Sequence, residues 1–297
     1  MIPSGLGTLE SEVGFRSRLP ACPFSVGTHG CAMSAQKIQL EALQKIRQHM
    51  QHGFALPTSE NQPRSWSASS DEVELPEPDS LSDLGDLFTF GGSMAEPTHA
   101  PNSRGEWFIS TANPGAVLMK LPGLMLKPAV RLVGYLHRQP EAGIGVIWAV
   151  PESLSTTAHL EKALAASSDR AHPPHPEGAF ANLMEAVQGD RTPASFIIAS
   201  LLQRELREFG RLGKACNWSH HRLINAPPPQ VQWQWQVEPP KDLSPKVRVF
   251  PDGRAVIEFF SCRVIPPIAL FQHLDQYPST HYGAAVSDRA IAVVKRP

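Results

Sequence analysis

The chain has 297 residues, a formal net charge of −1 and 41% hydrophobic residues, which is enough for one or two domains with a packed core. The near-zero charge gives no general attraction to nucleic acid or to an anionic membrane, and no stretch predicts a signal peptide or a membrane-spanning helix. The cysteines, Cys22, Cys31, Cys216 and Cys262, form no Cys-x-x-Cys pair, so the sequence favours a soluble cytoplasmic protein with free thiols.

Residues 1–33 mix glycine, proline, serine and cysteine without periodicity, and we expect them to be disordered. Met33 directly precedes a segment with helical character. We therefore expect Met33 to be the natural initiator and residues 1–32 to be an upstream extension, which a mass measurement of the native N-terminus tests.

A short amphipathic helix is predicted within residues 34–56. Ser34 is a suitable N-cap, and Gly53 ends the pattern. Leu43 and Met50 lie on one narrow apolar face. Because an isolated helix of this length is marginal in water, we expect it to dock on the rest of the chain, to pair with a copy of itself, or to fray.

Residues 57–104 are predicted to be a disordered acidic linker. Within them, residues 65–103 contain eight acidic residues and no lysine or arginine. Such a segment buries too little apolar area to offset the entropy of ordering. It also carries a short apolar patch that could fold against a groove on a partner; this patch is Leu81, Leu84, Leu87, Phe88 and Phe90.

Residues 105–297 are predicted to form one α+β domain with a mainly antiparallel sheet and flanking helices. The strongest local signals are two hairpins and a helix capped by Thr192 and ended by Gly210. We place Gln203 and Arg204 on the wet side of that helix. The predicted elements, in chain order, are a strand at 107–110, a hairpin of Val130–His137 with Gly143–Val150, helices at 156–166, 179–188 and 193–209, a strand at 231–237, a hairpin of 246–250 with 254–265, a helix at 266–276 and a strand at 289–295.

Cys216, His220 and His221 are the one grouping with metal-ligand or nucleophile chemistry. Cys216 and His220 are four residues apart, so a helix would place them on one face, where they could bind zinc or form a nucleophile–base pair. The alternative is that Cys216 packs in the core as a small hydrophobe while the two histidines lie near the surface. No second Cys/His pair completes a zinc site, and no cofactor is predicted.

A basic helix face is predicted at Arg204, Arg207 and Arg211. This face could contact phosphates or receive an acidic peptide, or it could be an ordinary solvated face. No helix-turn-helix or RNA-binding signature supports nucleic acid. We also expect the acidic linker to be able to fold back onto this face, since the tether gives it a high effective concentration.

Two runs, Gly143–Leu164 and Leu201–His221, resemble conserved proteins of unknown function from cyanobacteria. The resemblance covers about residues 107–297. It implies a cytoplasmic protein of a photosynthetic prokaryote, and it carries over no activity and no site residues.

These observations predict a non-enzymatic cytoplasmic interaction or regulatory protein. It would bind a protein partner through the apolar patch of the acidic linker and the Arg204–Arg211 face. The first alternative is an enzyme or zinc-binding protein centred on Cys216, His220 and His221. The second alternative is a nucleic-acid-binding protein.

Overall fold

Two antiparallel sheets flank a long buried helix in the computed structural model, which describes residues 35–57, 60, 106–139, 142–167 and 169–295. All of these residues belong to one compact unit, Met33–Pro297. The predicted α+β class with mainly antiparallel sheets is therefore confirmed. The apolar patch of the acidic linker, Leu81–Phe90, and residues 1–33 lie outside the described residues.

The larger sheet is built around one central strand, β11 (Ala255–Arg263), which pairs with neighbours on both sides. A further strand, β8, pairs with the C-terminal end of β11. The path of the sheet in space is β1 (Gln36–Lys37), β10 (Lys246–Val249), β11 (Ala255–Arg263), β12 (Ala269–Tyr277), β13 (Ala285–Val294) and β9 (Trp233–Trp235), and β8 is His221–Ile224.

The smaller sheet consists mainly of one long hairpin. Its strands in order are β2 (Trp107–Ile109), β4 (Val130–Gln139), β5 (Ala142–Pro151) and β7 (Leu212–Gly213), and a separate pair joins β3 (Leu124–Leu126) to β6 (Val187–Gly189). β7 covers only the start of β5, at Ala142 and Gly143. The rest of that edge of β5 pairs with no strand among the described residues.

Four α-helices accompany the sheets in the described part of the chain: α1 (Leu40–Gly53), α2 (Pro114–Leu118), α3 (Thr157–Ala165) and α4 (Pro193–Glu208). α4 is the centre of the core, because every residue from Ser195 to Leu206 is buried. Thr192 caps it by accepting a hydrogen bond from the Ser195 backbone, as predicted. α1 packs on α4, and its Leu43 and Met50 are buried in the core. Of the three outcomes expected for this helix, docking on the rest of the chain is therefore confirmed.

The predicted hairpins are confirmed. β4 and β5 pair over their whole length. The Pro251–Gly253 turn joins β10 to β11 and places Lys246 opposite Glu258. The Gly253 φ of 83° explains why this turn needs glycine.

Two predicted helices are wrong. The segment predicted as a helix at 179–188 contains a short 3₁₀ turn, Leu183–Ala186, followed by β6. The segment predicted as a helix at 266–276 is strand β12. On β12 the alternate residues His273, Asp275 and Tyr277 are buried. Because two of these buried residues are polar, the sequence does not show the alternation of apolar and polar residues that predicts a strand.

Two boundaries near the N-terminus also differ from the prediction. Residues 36–37 form a strand on β10, so α1 begins at Leu40 and not after Ser34. Glu60, assigned to the linker, is buried and belongs to the body. Its carboxylate accepts hydrogen bonds of 2.7 Å from the Ser110 hydroxyl and from the backbone and hydroxyl of Thr111.

Candidate functional site

The Cys216, His220 and His221 grouping is not on a helix. Cys216 lies in a turn, His220 ends a 3₁₀ turn, and His221 begins β8 with its side chain buried. Burial and the charge of Glu208 raise the pKa of the Cys216 thiol, which disfavours the thiolate needed for a nucleophile or a ligand. Among the described residues no three His, Cys, Asp or Glu side chains are grouped so as to hold a metal ion.

Arg204 is not part of an exposed basic face, contrary to the prediction. Its side chain is 3% exposed and forms a two-pronged ion pair with Asp275, with N–O distances of 2.7 and 2.8 Å. It also donates to Asp288 at 2.6 Å. Burial opposes the charge on Arg204, and the bonds and charge of Asp275 outweigh it, so the pKa of Arg204 is raised. Arg204 therefore holds α4 to β12 and β13.

A chain of hydrogen bonds continues from this ion pair into the core. Asp288 lies 2.7 Å from His273 Nδ1, Ser261 lies 2.7 Å from His273 Nε2, and His221 Nδ1 lies 2.8 Å from Ser261. Burial lowers the pKa of His273, and burial with the nearby positive charges lowers the pKa of His221 to about 3. Both rings are therefore neutral at pH 7.

Neutral rings fix the direction of each bond in the chain. His273 donates from Nδ1 to Asp288, so its Nε2 accepts from the Ser261 hydroxyl, and the Ser261 oxygen in turn accepts from His221 Nδ1. The order Asp288–His273–Ser261 matches the carboxylate, imidazole and hydroxyl of serine hydrolases.

The position of Ser261 argues against a role as a catalytic nucleophile. Ser261 is fully buried in the central strand β11, and it lines none of the clefts described here. A nucleophile must meet a substrate carbonyl beside an oxyanion hole, and His221 occupies the free side of the hydroxyl. The network is a satisfied polar core that joins β8, β11, β12 and β13.

A second buried ion pair attaches α1. Arg47 lies 2.7 Å from the Glu205 carboxylate, stacks over the Trp218 ring at 4.4 Å, and donates to the backbone oxygens of Trp218 and His221. Its role depends on Glu205, which is 158 positions away, and no local pattern contains that information.

A cleft with a volume of about 560 Å³ lies between β5 and the C-terminal half of α4. Ligand sites typically fall between about 300 and 1,000 Å³. One wall is the edge of β5 and another is the segment 181–184. The residues that line it include Ile147, Trp148, Met184, Gln203, Leu206 and Arg207.

Gln203 is an unsatisfied polar group in this cleft. Its residue is 5% exposed, and its Oε1 atom is buried without a hydrogen-bond partner among the described residues. A buried amide oxygen without a partner costs about 1–3 kcal/mol. A water molecule or a small rotation of the side chain would satisfy such an atom. Sequence analysis missed the burial of Gln203 because it placed this residue on the wet side of α4.

Arg207 and Arg211 are the two members of the predicted basic face that remain exposed, and both border the cleft. Arg211 is partly committed, since its guanidinium donates to the Arg207 and Ala215 backbone oxygens. Arg207 has no ion-pair partner in the part of the chain that the structure describes. Both also border a smaller cleft of about 180 Å³, beside His273 and Asp288.

No protein-family model, curated protein or solved structure matches this chain. Among the described residues, no helix is both long enough and apolar enough to cross a membrane.

Proposed function

We propose that this chain is a non-enzymatic interaction or regulatory protein that binds a protein partner at the cleft between β5 and α4. The observation that carries the proposal is Arg207, an exposed cation without a carboxylate partner among the described residues, beside apolar walls that include Leu206 and Met184. An acidic segment with apolar side chains is complementary to both features. The apolar patch of the acidic linker remains a second binding element of this proposal, and it lies outside the described residues.

The alternatives receive less support. The raised pKa of Cys216 and the dispersed positions of His220 and His221 do not favour zinc or nucleophilic chemistry. Nucleic-acid binding depends on several phosphate contacts from basic side chains. The internal pairing of Arg204 removes one of the three arginines on which that reading depended.

The test is a selection of random twelve-residue peptides on the full chain, followed by affinity measurements on the enriched peptides by fluorescence anisotropy. We expect enriched peptides to combine carboxylates with apolar residues. Arg207→Glu should weaken their binding about tenfold or more, which corresponds to about 1.4 kcal/mol, and added salt should weaken binding to the wild type.

Arg222→Glu is the matched control, because Arg222 is exposed on β8 and borders none of the three clefts. Its affinity for the peptides should equal that of the wild type. A selection without enrichment, or equal effects of the two charge reversals, would contradict the proposal.

A further inference from the structure

The edge of β5 that faces away from β4 has a gap. At one end of this edge β7 pairs with Ala142 and Gly143. At the other end the Phe180 backbone donates a 2.9 Å hydrogen bond to the Ala149 oxygen. Gly145 lies against Phe209 and Gly210, since a Cβ atom on Gly145 would meet the Phe209 oxygen at 2.8 Å. The gap therefore spans the middle of the strand, around residues 146–148.

Ile147 presents its backbone to this gap. In an antiparallel ladder successive residues point their N–H and C=O groups to opposite sides. Ala149 bonds away from β4, so Ile147, two residues earlier, also points away from β4, while Val146 and Trp148 point toward it. No backbone or side-chain partner of the Ile147 N–H and C=O occurs among the described residues.

The gap and the large cleft are the same place. Gly145 to Trp148 form one wall of the cleft, and Gln203, Leu206 and Arg207 stand on α4 across from it. One cleft thus combines two unpaired main-chain groups, one unpaired buried amide oxygen and one unpaired cation, within the described part of the chain. Main-chain groups at a sheet edge bond to water or to an added strand, and here they border a space large enough for a short peptide.

We propose that an extended segment of a partner protein adds as a short strand to β5 in this cleft. Its main chain would bond to the N–H and C=O of Ile147, its apolar side chains would contact Leu206 and Met184, and a carboxylate would meet Arg207. Strand addition to an open sheet edge is a general way of binding extended peptides. This inference rests on the proposed function and names the form and chemistry of the partner.

Other occupants fit less well. A helix satisfies its own backbone groups, so it would leave those of Ile147 unpaired. A second folded copy of this chain would have to present a sheet edge inside a concave cleft that α4 and the segment 181–184 enclose on both sides. A narrow, extended segment meets neither difficulty.

The test uses the full chain and one peptide enriched in the selection described above, prepared as a series with a single N-methyl group moved along its backbone. We expect N-methylation at the position opposite Ile147 to weaken binding about tenfold or more, while the adjacent positions tolerate it. Hydrogen exchange followed by NMR supplies a second readout. The Ile147 amide should become protected when the peptide is added, whereas those of Val146 and Trp148, already bonded to β4, should change little.

Gln203→Leu is a matched control in the same cleft, because it removes a buried oxygen that the peptide does not reach. The free protein should be at least as stable as the wild type, and its affinity for the peptide should stay within about twofold of the wild type. If peptide binding depends on Arg207 but tolerates every N-methyl group and leaves the Ile147 amide unprotected, strand addition is overturned and partner binding stands. If Arg207→Glu has no effect, the proposed function itself fails.

Discussion

Arg204→Met should strongly destabilise the protein. The substitution preserves much of the side-chain volume and removes the charge that Asp275, which is fully buried, depends on. Leaving one partner of a buried ion pair uncompensated costs about 3–5 kcal/mol. The lost contact with Asp288 adds less, because that carboxylate is 43% exposed and water can replace the guanidinium. A loss of about 4 kcal/mol is a large share of a typical stability of about 5–15 kcal/mol.

The assay is urea denaturation followed by circular dichroism, with two further variants. Arg204→Met with Asp275→Leu replaces both charges by apolar groups, and we expect it to recover most of the lost stability. Arg207→Met, three residues further along α4 and exposed, should change the free energy of unfolding by less than about 0.5 kcal/mol. A cost below about 1 kcal/mol for Arg204→Met would refute the argument and return Arg204 to an exposed basic face.

Three further predictions concern stability. Because the pKa of His221 falls from 6.5 to about 3 on folding, the native state binds fewer protons, so this ring alone should lower stability by about 2 kcal/mol between pH 7.5 and pH 5; in urea denaturation at the two pH values, His221→Gln should remove that share. Glu60→Ala removes the acceptor of three hydrogen bonds and should cost about 1–3 kcal/mol in denaturant titration. Gly189→Ala would place a Cβ atom 2.2 Å from the Gly123 backbone oxygen, so we expect a loss of about 1–3 kcal/mol, seen as a lower Tm.

The parts of the fold that sequence predicts are those with local causes. The Pro251–Gly253 turn and the Thr192 cap depend on residues within a few positions, and both are confirmed. β12 fails this condition, because the buried Asp275 is paired with Arg204 on α4 and the buried His273 with Ser261 on β11 and Asp288 on β13. Their polarity makes the strand look like one side of an amphipathic helix.

The candidate site was predicted less completely than the fold, for the same reason. The charge pattern predicted correctly that Arg207 and Arg211 are exposed. It also predicted that Arg204 is exposed, which is wrong. The orphan groups of Gln203 and Ile147 carry no local signature. An unpaired main-chain group exists only where strands fail to meet, and that is a property of the assembled sheets.

The contacts of Glu60 have a consequence for how this protein can vary. Glu60 is held against Ser110 and Thr111 by hydrogen bonds, so the described segments that precede residue 61 and follow residue 105 meet at this point. These two points stay together whatever number of residues separates them along the chain. Each doubling of the length of a flexible loop between fixed points costs only about 0.6 kcal/mol, so a flexible insertion between residues 61 and 105 should leave the two sheets and α4 intact.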